Sequence, residues 1–98
     1  MTYKLSFLDW FDDRKEEVEQ KGWHTVKVEI NDYVVEFEVY DQVRLMQDIA
    51  INVERAGYFT EERLIIVVTN VTRKNIEKAI ENIMQYPKYK ELGSMGFE

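Results

Sequence analysis

The 98-residue chain has no cysteine, one proline, one histidine and four glycines. Without cysteine there can be no disulfide framework, thiolate zinc site or thiol nucleophile. One proline and four scattered glycines leave no linker long enough to separate two modules. The longest apolar run, Leu64 to Val68, falls far short of the roughly 20 residues that cross a bilayer. The segment Met1 to Asp9 is also too short in apolar residues for a signal peptide, so a cytoplasmic location is expected. No G-x-S-x-G turn, phosphate-cradling glycine loop or H-x₃-H spacing occurs, and the expectation is a protein without cofactor, metal or catalytic residues.

Positive charge is scarce in one half only. Met1 to Ile49 carries 12 acids against 6 bases, and Ala50 to Glu98 carries 7 against 7, so the whole net charge of −6 sits in the first half. Nucleic-acid binding draws its affinity from Lys and Arg displacing counterions, and a surface of the opposite sign argues against direct binding to nucleic acid or to an anionic membrane.

What is present suffices for a core. Hydrophobic residues are 45% and charged residues 33% of the chain, with 5 Phe, 6 Tyr and 2 Trp, unlike a disordered composition. At this length about 60–65% of the extended-chain surface can be buried. Residues 1–98 are therefore read as a single domain, with 88–98 as a loose C-terminal tail.

Ser6 and Asp9 fit a capping box, which predicts a helix from Ser6 to Lys21 with Phe7, Phe11 and Val18 on its inner side, ended by Gly22. Tyr3 to Leu5 alternates over too few residues to decide whether a short strand precedes it. Trp23 to Tyr40 alternates with a period of two, broken by Asn31-Asp32, and reads as a hairpin. A two-residue loop there places Ile30 opposite Tyr33, Val28 opposite Val35 and Val26 opposite Phe37, and pairs Lys27 with Glu36 and Trp23 with Tyr40 on the other face. From Asp41 the period becomes helical, with Leu45, Met46, Ile49, Val53 and Ala56 on one side, Ile51 on the wet side and Gly57 as the stop. Leu64 to Val68, apolar on both faces, reads as an interior strand or a covered edge. Thr72 caps a last helix carrying Ile76, Ala79, Ile80, Ile83 and Met84, which Pro87 stops. The order (β)αββαβα predicts an α+β two-layer sandwich, with a mixed or antiparallel sheet of three to four strands and three helices. It is the order of a ferredoxin-like split unit with an added helix.

His24, beside Trp23 at the start of the hairpin, falls on the core face, where a structural role is expected rather than acid–base chemistry. The dense constellation is acidic. On a helix Asp9, Asp12, Asp13 and Glu16 converge on one face, and Glu17 and Glu19 extend the patch. Three readings fit it: a solvated face, a surface meeting a basic protein partner, or a divalent-cation site, the last opposed by the inability of one helix face to wrap an ion. Trp10 flanks the patch. Trp23, Tyr40, Glu29, Glu36 and Glu38 share the hairpin face away from the core, uncovered or else covered by the last helix or the tail. Aromatic anchors among acids suit recognition of a basic surface.

The leading expectation is a non-enzymatic protein-binding module, an inhibitor or immunity-like factor whose carboxylates stand where phosphates would sit on a nucleic-acid enzyme. A structural or regulatory homo-oligomer is the alternative, a homodimer in contact through Leu64 to Val68 or the Val43 and Ile51 side of the second helix. A carboxylate enzyme using a divalent ion is the third.

Overall fold

The computed structural model describes residues 3–95. Its order is β1 (Lys4–Ser6), α1 (Lys15–Lys21), β2 (Trp23–Ile30), β3 (Tyr33–Asp41), α2 (Gln42–Ala56), β4 (Leu64–Val68), α3 (Arg73–Ile83) and α4 (Pro87–Met95). The fold is α+β, with a four-stranded mixed sheet and four helices. No helix among the described residues is long and apolar enough to cross a membrane.

The hairpin forms in the register expected from its alternation: Trp23 lies opposite Tyr40, Val26 opposite Phe37, Lys27 opposite Glu36 and Ile30 opposite Tyr33. Asn31 closes the turn at φ 57°, a left-handed conformation that Asn tolerates. Strand β1 adds antiparallel to β2, with Leu5 opposite Val28 and Lys4 opposite Glu29. Strand β4 adds parallel to β3, so the strand order is sequential, β1-β2-β3-β4. This corrects the ferredoxin-like expectation. A split unit interleaves its strands, whereas here each strand pairs with its neighbour in sequence and only β3 and β4, joined through α2, run parallel.

The predicted first helix is also corrected. Ser6 belongs to β1, opposite Lys27, and residues 9–13 form turns, with α1 starting only at Lys15. The aromatic contacts explain the shift: the tilted rings of Phe7 and Phe11 pack at 4.7 Å between centroids, and Phe11 lies 4.6 Å from the His24 ring, which draws the segment onto β2 before a helix begins. Gly22 ends α1 at φ 72°, its N–H bonded to the Val18 carbonyl. Pro87 does not close the structure but opens α4, where the first helical position needs no N–H. Tyr89 from the expected tail is buried against Phe37, with centroids 6.3 Å apart. The end of that tail, residues 96–98, lies outside the described residues.

The core lies on one face of the sheet. Val26, Val28, Ile30, Phe37, Val39 and Ile66 meet Phe11 and Val18 from the N-terminal segment and Val71, Ile76, Ile80, Met84 and Tyr89 from the C-terminal helices. Helix α2 lies on the other face, where Arg44 stands over the Trp23 ring at 5.8 Å. The domain is therefore not the two-layer sandwich expected, because α2 forms a third layer.

Candidate interaction surface

On the α2 side of the sheet, β2 and β3 present Trp23, Thr25, Glu36, Glu38 and Tyr40. Glu38 is buried at 2% exposure. Its carboxylate accepts from Trp23 Nε1 and, at 2.7 Å, from Thr25 Oγ1, and Arg63 Nη1 stands 3.4 Å away. Arg63 also donates through Nε to Glu36, which holds that carboxyl below its ordinary range. Burial, with Asp48, Glu61 and Glu38 nearby, pushes the Tyr40 hydroxyl up to about 12. A buried carboxylate with every oxygen engaged does not offer a free base. It ties β2, β3 and the segment before β4 together.

This distribution separates the acidic and aromatic candidates. Trp23 is half-buried, Tyr40 and Glu38 are buried, and Glu36 is half-buried in its pair with Arg63, so the hairpin face is closed by α2 and Arg63, while α3 and Tyr89 of α4 pack on the core side. Glu29 alone of that group is exposed. Asp9, Trp10, Asp12, Asp13, Glu16 and Glu17 lie on the opposite layer, all exposed. Asp12 is not free, since Arg73 donates to both its oxygens at 3.0–3.1 Å. Arg73 in turn sits 4.2 Å above the Phe7 ring, which anchors the turn before α1 to the start of α3. Asp9, Asp12 and Asp13 are therefore carried by turns, not by one helical face. Among the described residues no group of three acids or His gathers to hold a metal ion.

His24 is 1% exposed, enclosed by Phe7, Phe11 and the edge of Trp10 at 5.3 Å, and its Nε2 has no partner. Burial lowers its pKa to about 4, so the ring is neutral at physiological pH.

A group of exposed apolar side chains lies on α2 and β4. Helix α2 is correctly bounded by the sequence, with Asp41 accepting from Arg44 N at its start and Gly57 at φ 87° at its end, yet it buries no residue. It rests on the sheet through Arg44, Leu45 and Asp48, which are half-buried, with Arg44 donating to Asp48 at 3.0 Å and to the Lys21 carbonyl at 3.1 Å. At about 100° per residue, Met46, Ile49 and Val53 fall roughly 140–180° round the helix from Arg44. Since Arg44 reaches toward β2, that apolar stripe turns toward β4. Met46 is 60%, Ile49 37% and Val53 46% exposed. On the same side, Ile65 and Val67, registered with Glu38 and Tyr40, are 39% and 51% exposed.

No family model, curated protein or solved structure matches the chain.

The expectation that Leu45, Met46, Ile49, Val53 and Ala56 form the dry side is corrected for all but Leu45, because the helix turns its Arg44–Leu45–Asp48 side inward and leaves the other four exposed. Sequence reasoning placed Met46, Ile49 and Val53 on one stripe but assigned it to the interior. The available signal was Leu64 to Val68: a strand apolar on both faces is out of place at a sheet edge, and β4 is that edge. Arg63, which joins Glu36 and Glu38, carried no sequence signal of its own.

Proposed function

We propose that this chain is a non-enzymatic protein-binding module whose contact surface is the α2 stripe and the β4 edge. The observation that carries the reading is a 15-residue amphipathic helix with no buried residue, its apolar stripe continuous with two exposed apolar side chains of an edge strand. Apolar surface gathered in this way marks interaction sites in folded proteins, whereas singly scattered apolar residues do not. The exposed Asp9, Asp13, Glu16 and Glu17 stand on the other layer, where they favour solubility and discourage contact on the wrong face.

The test is site-specific photo-crosslinking in the source cell, with a benzophenone side chain placed at Val53, Val67 or Glu16. The reading expects discrete covalent adducts from Val53 and Val67 and none from Glu16. Adducts from Glu16 alone would replace it with a second reading, an inhibitor-like factor meeting a basic partner through its acids. That alternative draws on Leu8 and Trp10, 40% and 39% exposed beside the exposed Asp9 and Asp13. Reversing the charge of Asp12, Asp13 and Glu16 together should then abolish the adduct.

A further inference from the structure

The two edges of the sheet are treated differently by the sequence. Strand β1 is three residues long and carries the exposed Lys4, the usual means of stopping a sheet from growing. Strand β4 is five residues, Leu-Ile-Ile-Val-Val, with no charge, proline or bulge, and no strand lies beyond it among the described residues. An unblunted apolar edge beside an unpartnered apolar helix stripe needs a partner that brings both a strand and an apolar surface at matching height.

We infer that the partner is a second copy of this chain, joined across a two-fold axis at Ile66 with the two β4 strands antiparallel, so that the two sheets become one of eight strands. The inference rests on the binding-module reading and names its partner. In this arrangement Ile65 of one copy lies opposite Val67 of the other on the α2 side, and Leu64 lies opposite Val68 on the core side. Both α2 helices fall on the same face, and each turns Met46, Ile49 and Val53 toward its counterpart. A two-fold contact uses one surface twice, so every apolar element on this surface finds its partner without a second kind of site.

Charge and area both favour self-pairing. The residues that meet carry no charge, and the acidic excess that would make two copies repel is in the first half of the sequence, on the turn, α1 and the hairpin, apart from Asp48 of α2, which is paired with Arg44 on the side away from the stripe. Met46, Ile49, Val53, Leu64, Ile65 and Val67 are 37–60% exposed. With side chains of about 150–200 Å² each they offer roughly 500 Å² per copy, hence about 1,000 Å² for the pair, the area a specific interface has to reach.

The experiment is sedimentation equilibrium of the full chain from about 1 to 200 µM, with apolar-dye fluorescence on the same samples. Wild type, Ile65→Lys, Val67→Glu and an equimolar mixture of the two variants are compared. Both positions are exposed, and circular dichroism checks that each variant is folded. The inference expects the 11.8 kDa chain to reach twice that mass within this range. Each variant should weaken association by at least about 100-fold, and the mixture should recover it. In the mixed pair the lysine introduced by Ile65→Lys in one chain faces the glutamate introduced by Val67→Glu in the other, while the second Ile–Val contact is intact. A dimer unaffected by either variant overturns the inference, as does a pair of variants that fails to recover on mixing. A monomer at every concentration whose dye binding falls in Val67→Glu also overturns it, yet leaves the binding-module reading standing with a different protein as partner. A monomer whose dye binding is absent or unchanged removes both.

Discussion

His24 makes the stability of this domain depend on pH in a way that can be worked out beforehand. In the unfolded chain its imidazole titrates near 6.5, whereas in the folded chain burial among Phe7, Trp10 and Phe11 lowers the pKa to about 4. Between those values the unfolded state binds the proton and the folded state does not, so acid pulls the equilibrium toward unfolding. The contribution is present above about pH 6.5, is lost as the pH falls toward 4, and changes no further below that. Linkage over this window gives a loss of about 2 kcal/mol between pH 7 and pH 5, and about 3 kcal/mol by pH 4. For a domain whose total stability is of order 5–15 kcal/mol this is a large fraction. The assay is urea unfolding followed by tryptophan fluorescence at pH 7.0, 6.0, 5.0 and 4.5 for wild type and His24→Leu. Leu is close to His in volume and has no nitrogen to leave unpaired. The difference in stability between the two proteins should move by about 2 kcal/mol in favour of the variant from pH 7 to 5. Parallel profiles for the two proteins, or a His24 ring that titrates above pH 6 by NMR in the folded state, would refute the reasoning.

Other outcomes follow from the same contacts. Glu38→Ala leaves Trp23 Nε1, the Thr25 hydroxyl and Arg63 facing an empty site, and should cost about 2–4 kcal/mol in chemical denaturation. Glu38→Gln, which keeps an acceptor, should cost less, and equal losses would show that the hydrogen bonds are not the cause. Gly22→Ala forces a left-handed residue and sets its Cβ 2.6 Å from the Asp41 Cγ, displacing the cap of α2, so a loss of about 2–3 kcal/mol is expected. Gly57→Ala has the same backbone sign but open space around its Cβ, so only about 1 kcal/mol should go. Thermal melts of the two side by side separate the strain from the clash, and equal shifts would mean that Asp41 moves aside without cost.

Much of the local structure was legible from residue order alone. The hairpin register followed from alternation on two faces and from a two-residue loop at Asn31-Asp32, both of which act over a few residues. The limits of α2 followed from Asp41 and Gly57, and the cap of α3 from Thr72, because backbone groups at helix ends are satisfied by side chains close in sequence. The single buried histidine was placed on the core face by the same alternation. The first helix was misplaced because the Ser6 and Asp9 signal is local, whereas the pairing of Ser6 with Lys27 and the packing of Phe11 against His24 join residues 13 or more positions apart. Residue order also determined that the chain holds an apolar stripe on α2, an acidic excess in its first half and an uncharged strand at Leu64 to Val68. Only the tertiary structure decided which way each of them faces. A helix has one rotation about its axis, and the contact of Arg44 with Trp23 and the Lys21 carbonyl fixes that rotation with the apolar stripe turned away from β2, on the β4 side. A strand apolar on both faces becomes an open edge only once the sequential strand order has placed no strand beyond it among the described residues.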